Sequence, residues 1–140
     1  MILKILIFSD NADVRQHLKT LVDSQPDCKA VGTMDHKKAM AGNPLKPPPD
    51  VIIAEMNRLD DRMMPLISSI RDKFGRSKIL AVSGQRDSRL VLRMIHAGAN
   101  GFMITDRAPE ELAAAIETVA GGGLYLSPGI AGLEGRRSLF

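Results

Sequence analysis

The sequence predicts an α/β fold, a doubly wound parallel sheet of five strands flanked by helices, and three observations carry that prediction. Short apolar runs bounded by turn signals recur along the chain, as expected of strands buried on both faces. Segments with apolar residues at helical spacing separate them, which is the alternation of a doubly wound sheet. Several of the runs end on polar residues: Ser9 and Asp10, Glu55, Ser83 and Thr105. Right-handed crossovers bring the carboxyl ends of such strands to one edge, where open α/β sheets place their sites.

Ile2–Phe8 is the first run, closed by Ser9-Asp10-Asn11, where Asp10 or Asn11 can cap a helix over 12–24. Val14, Leu18, Leu21 and Val22 repeat on one side of it, with Asp13, Arg15, Lys19 and Asp23 on the other. A turn at Gln25-Pro26-Asp27 leads to a weak second strand over Lys29–Thr33 and a short helix over Asp35–Ala41. A Gly/Pro-rich stretch over 42–49 then introduces Val51-Ile52-Ile53-Ala54, which ends on the single carboxylate of Glu55. A polar loop over 57–62 precedes a helix through Phe74 that buries Leu66, Ile67 and Ile70, with Met63-Met64 at its start or in a loop contact. Lys78–Val82 is the fourth strand, followed by a helix over Asp87–Ala97 that Gly98 closes at a C-cap position. Gly101–Ile104 is the fifth strand. Pro109 opens a last helix at a favoured first-turn position, with Leu112, Ile116 and Val119 on one face, and Gly121-Gly122-Gly123 stops it.

Composition bounds the function classes. The chain has 140 residues, 44% hydrophobic and 25% charged, consistent with one domain that needs no staple. Cys28 is the only cysteine, so no internal disulfide forms and a cytoplasmic setting is expected. The apolar opening Met1–Phe8 is too short to span a bilayer and lacks the flanks of a signal peptide. A net charge of +3 is compatible with acidic partners without arguing nucleic-acid binding. His17, His36 and His96 have no metal-ligand spacing, so a zinc site is not expected. Ser83 lacks the glycines of a nucleophile elbow, and no glycine-rich phosphate loop follows the first strand, which argues against hydrolase, dinucleotide or P-loop chemistry.

As a set, Ile5-Leu6-Ile7-Phe8-Ser9-Asp10, Pro49–Met56, Leu80-Ala81-Val82-Ser83-Gly84 and Gly98-Ala99-Asn100-Gly101-Phe102-Met103 resemble the receiver domains of bacterial two-component response regulators. The resemblance covers roughly 2–121. Pro109-Glu110-Glu111-Leu112, followed by Ala120–Pro128, is similar to regulators with a LuxR-class helix-turn-helix output domain. The resemblance implies a flavodoxin-like sheet in the order 2-1-3-4-5, a receiver domain over 1–123 and a linker or tail over 124–140 that contains Arg136-Arg137. In that family two acids after the first strand and an aspartate after the third hold Mg²⁺, and that aspartate accepts a phosphoryl group. A hydroxyl after the fourth strand and a lysine after the fifth contact it.

The chain keeps part of that set. Ser9 stands in place of the first acid, leaving Asp10; Glu55 stands at the phosphoacceptor position; Ser83 fits the hydroxyl; Thr105 replaces the lysine, and Leu59 a proline. Together these departures argue against regulated phosphorylation, because the transfer relies on positioning and on neutralising the phosphoryl oxygens. The expectation is therefore an atypical, non-enzymatic signalling module without a cofactor, any residual Mg²⁺ being held by Asp10 and Glu55. Glu55 can mimic the phosphorylated state by presenting its carboxylate to Ser83. Without a cation such as Arg58, Arg86 or Arg107 folding in, one of the two carboxylates should titrate high.

The resemblance further implies a protein partner or homodimer on the fourth helix, fifth strand and fifth helix. Arg86, Arg89 and Arg93 fall on one stripe there, facing acids such as Glu110, Glu111 or Glu117 across a dimer, and Phe102 occupies the switch-aromatic position. Contact with DNA is expected only through a separate output domain, and no membrane contact is expected. The alternatives are a receiver that still accepts phosphate with Mg²⁺, and a small-ligand sensor using the vacated pocket.

Overall fold

The apolar runs become the strands of one parallel sheet in a computed structural model that describes residues 1–41, 47–57 and 63–130. In chain order the elements are β1 (Leu3–Phe8), α1 (Ala12–Asp23), β2 (Cys28–Met34), α2 (His36–Ala41), β3 (Val51–Glu55) and α3 (Met63–Phe74). There follow β4 (Lys78–Ser83), α4 (Ser88–Ala97), β5 (Gly101–Ile104), a 3-10 turn (Thr105–Arg107), α5 (Ala108–Ala120) and β6 (Tyr125–Leu126). The sheet order is β2-β1-β3-β4-β5-β6, and every pair is parallel. The predicted 2-1-3-4-5 order holds, with one further strand outside β5. The Gly/Pro-rich residues 42–46, the loop over 58–62 with Arg58 and Leu59, and Arg136-Arg137 lie outside the described residues.

Successive side chains of a strand face opposite sides of the sheet, and this alternation sorts the core into two layers. Leu6, Phe8, Ile52, Ala54, Ile79, Ala81, Phe102 and Ile104 pack under α3 and α4, against Ile67, Ile70, Phe74, Val91 and Met94. Ile5, Ile7, Val51, Ile53, Leu80, Val82 and Met103 pack under α1 and α5, against Leu18, Val22, Leu112, Ala115, Ile116 and Val119. Each large apolar side chain withdrawn from water contributes about 1.5–3 kcal/mol, so both layers hold the strand ends in place. Leu66, expected in the core, is only half-buried.

Local chemistry sets the helix ends. Asn11, one of the two candidate caps, accepts from the Asp13 and Val14 N–H groups at 2.9 and 3.1 Å. Asp87 caps α4 in the same way, so the helix starts at Ser88 and Arg86 lies outside it, a correction to the three-arginine stripe. Gly98 closes α4 at φ 128°, a conformation that disfavours a Cβ.

The sixth strand moves the packed boundary beyond 123. Tyr125 and Leu126 pair with Gly101 and Phe102, and Leu126 and Ile130 are fully buried. Gly101 permits this approach: a Cβ there would lie 2.9 Å from the Tyr125 carbonyl oxygen.

Candidate functional site at the carboxyl edge of the sheet

Glu55 ends β3, Ser83 ends β4, Ser9 follows β1 directly, and Thr105 follows β5. The sheet thus gathers all four at one edge. Ser9, Glu55 and Ser83 are buried, Thr105 is half-buried, and Asp10 is exposed.

Ser9 Oγ donates to Glu55 Oε1 at 3.2 Å and accepts the Asn11 N–H at 3.1 Å, while the Arg15 guanidinium donates to the Ser9 carbonyl. Glu55 Oε2 is buried with no hydrogen-bond partner among the described residues. The expected contact with Ser83 is not the one that forms, since Ser83 Oγ instead accepts the Gln85 N–H at 3.2 Å. The nearer donor to Glu55 is the hydroxyl that replaces the first acid.

Asp10 turns to α2. Its Oδ1 accepts the His36 N–H at 2.9 Å, and its Oδ2 lies 3.5 Å from His36 Nδ1. In the sequence His36 stands out only as a histidine without metal-ligand spacing, because nothing local marks a residue 26 positions away as the partner of Asp10.

Burial pushes the Glu55 carboxyl above the ordinary glutamate value; the Ser9 hydrogen bond opposes this and the Asp10 charge adds to it. The direction agrees with the expectation that one carboxylate titrates high, but desolvation is the larger cause. Between the ordinary carboxylate value of the unfolded chain and this raised one, the folded protein holds a proton that the unfolded chain has released, and the stability from this group declines as pH rises through that window. Glu55→Gln is expected to remove the decline. Urea titrations across pH should show the variant gaining on the wild type as pH rises above the ordinary carboxylate range, with the smallest difference below it.

The residues present do not fit a Mg²⁺ site. Such an ion demands near-octahedral oxygen ligation, whereas here one acid is Ser9, the Asp10 carboxylate is engaged by His36, and Glu55 offers one free oxygen. Among the described residues no three His, Cys, Asp or Glu side chains converge. A cavity of about 450 Å³ lies at the opposite edge, lined by Leu3, Gln25, Cys28, Ile116 and Ala120 among others, and not at Glu55. Burial, then Asp27, pushes the Cys28 thiol up.

The expected partner face is also altered. Arg86, Arg89 and Arg93 are exposed, with Arg89 Nε 3.8 Å from Asp87 Oδ1. Glu110 and Glu117 are exposed on α5, but Glu111 is 8% exposed and accepts from Tyr125 Oη and Ser127 Oγ, so it does not present to a partner. β5 has β6 laid along its outer edge, and Phe102 is fully buried in the layer under α3 and α4. The signal for the buried Glu111 was two hydroxyl residues, Tyr125 and Ser127, just beyond the glycine run.

The response regulator receiver domain model matches residues 5–117. The transcriptional regulatory protein UhpA of Escherichia coli K12 is 32% identical over 128 residues, covering 91% of this chain. The chain spans 63% of the length of that relative. The crystal structure of a LuxR-family two-component response regulator from Aurantimonas sp. SI85-9A1 matches with TM-score 0.82 and 24% identity over 100% of both chains. A structure of two RcsB dimers bound to two parallel DNAs matches with TM-score 0.79 and 16% identity, covering 94% of this chain and 67% of that one. These two structural likenesses show the fold. No helix among the described residues is long and apolar enough to cross a membrane.

Proposed function

Because this chain belongs to the response regulator receiver domain family, we propose that it transmits its signal by protein–protein contact, without regulated phosphorylation. One observation carries the reading: the acceptor position holds a buried glutamate already bonded to Ser9, while Asp10 is engaged by His36. Phosphoryl transfer gains its rate from positioning and from neutralising the phosphoryl oxygens. Thr105 brings no positive charge, and the acid pair is reduced to Asp10. The domain then acts as a contact module in the cytoplasm and not as an enzyme.

The partner surface runs over α4 and α5. Arg89 and Arg93, with Arg86 just before the helix, form a basic edge, and Glu110 and Glu117 form an acidic one. A two-fold arrangement can place each edge against the other in a second copy. Control of transcription, and any contact with DNA, is assigned to a separate output domain in the length of UhpA-like relatives that this sequence does not span. The likeness to UhpA and to an RcsB structure holding dimers on DNA supports this assignment.

Sedimentation of Arg89→Glu/Arg93→Glu and Glu110→Arg/Glu117→Arg tests the surface. Each is expected to weaken self-association about tenfold or more, equivalent to roughly 1.4 kcal/mol, and mixing the two should restore it. Unchanged association in both would remove the surface.

A further inference from the structure

The cavity of about 450 Å³ opens at the amino end of the sheet, away from Glu55. Its walls are Leu3 at the start of β1, Cys28 at the start of β2, and Ile116 and Ala120 on α5. Small-molecule sites fall at roughly 300–1,000 Å³, with apolar walls and a few placed polar groups. Here those groups are Gln25, Asp27 and Glu117, and among the described residues no lysine, arginine or histidine lines the cavity. Asp27 and Glu117 are exposed, and neither forms an ion pair among the described residues.

The backbone adds to this negative charge. The cavity lies where α1 and α5 end: Gln25 comes just past α1, and Gly121, which also lines it, is the C-cap of α5. Helix carboxyl ends carry partial negative charge and favour cations, yet neither α1 nor α5 has a basic residue in its last turn. Helices α3 and α4 do, in Arg71, Lys73 and His96. We infer that this cavity binds an amphipathic organic cation, its apolar body against Leu3, Ile116 and Ala120 and its ammonium beside Asp27 and Glu117. Charge complementarity sets the occupant. An anion would meet two carboxylates and two helix carboxyl ends, and a neutral molecule would leave all four without a counter-charge.

Cys28, the only cysteine, reports occupancy directly. Its thiol is half-buried, and burial followed by the Asp27 charge raises its pKa, so it reacts slowly and responds to whatever fills the cavity. The whole chain is treated with methyl methanethiosulfonate, a neutral thiol-selective reagent, and followed by intact mass. Millimolar 2-phenylethylammonium is expected to slow the reaction at least about threefold, the protection that mass action gives at twice the Kd. Phenylacetate, the same body carrying an anion, should leave the rate unchanged. Protection is read in each variant against its own rate without the cation. Asp27→Asn should weaken it, and Asp27→Asn/Glu117→Gln should remove it. Glu117 also belongs to the acidic edge proposed for the α4–α5 surface, whereas Asp27 does not, so the single variant separates the cavity from self-association. Ala113→Leu fills the cavity from an exposed position on α5 and should abolish protection. No protection by the cation, or equal protection by phenylacetate, overturns the assignment. Protection that survives the double variant or Ala113→Leu also overturns it, by placing the cation elsewhere.

Discussion

Arg71→Ala is expected to lower the unfolding free energy by about 3 kcal/mol, since hydrogen bonds to charged groups contribute about 1.5–3 kcal/mol and orphaned acceptors add their desolvation cost. The half-buried guanidinium donates to the carbonyls of Gly75, Ser77 and Gly98 at 2.7, 2.6 and 2.9 Å, and to Asn100 Oδ1 at 2.7 Å. Asn100 Oδ1 in turn accepts the Ile79 N–H at 2.9 Å. One side chain thereby joins the carboxyl ends of α3 and α4 to the starts of β4 and β5. A cation suits both helix ends, whose terminal carbonyls carry partial negative charge. Burial lowers the arginine pKa from its ordinary value, but the group remains charged. Arg71→Lys should recover less than half of the loss, because an ammonium has three donors on one atom and cannot span four acceptors. The urea midpoint should fall with an unchanged slope; a midpoint at the wild-type value would mean that water replaces these bonds without cost.

The second large effect is a gain of chemistry. Ser9→Asp/Glu55→Asp/Thr105→Lys restores the acid, the acceptor and the cation that the family uses, on strand ends already held at one edge by β1, β3, β4 and β5. The variant is expected to become labelled when incubated with acetyl phosphate and Mg²⁺, going from no covalent phosphoryl group to a readily detected fraction by intact mass. Glu55→Asp/Thr105→Lys with Ser9 retained should label less, because Asp10 alone, facing His36, is a poor hard-cation site. Failure of the triple variant to label would place the defect in the geometry of the edge and not in its side chains.

The strands were legible because each apolar run is bounded by turn residues, and the match of β5 to Gly101–Ile104 shows how well that signal works for strands buried on both faces. Of the helix caps, Asn11 was one of two candidates at its junction, whereas Asp87, read as the first residue of the fourth helix, is its cap. β6 was missed for the opposite reason. Tyr125-Leu126 follows three glycines and is too short to show a period, so only its tertiary seat against Gly101 and Glu111 makes it a strand.

The site divided along the same line. Ser9, Glu55, Ser83 and Thr105 reached one edge because topology alone delivers strand ends there. Their pairings did not follow from topology. Glu55 bonded Ser9 and not Ser83, and Asp10 found His36 across the start of α2, choices set by side-chain reach within a fold already formed. Arg71 gave no sequence signal either, being one of two basic residues, with Lys73, in the last turn of an amphipathic helix, and its role arises from carbonyls that only the assembled turns bring together.

The acceptor position is proposed to work without phosphorylation. Intact mass of the wild-type 140-residue protein after incubation with acetyl phosphate and Mg²⁺ tests it most directly. An unmodified mass is expected at every time point, alongside a labelled triple variant in the same experiment. Accumulation of a phosphoryl adduct on the wild type, lost in Glu55→Gln, would contradict it.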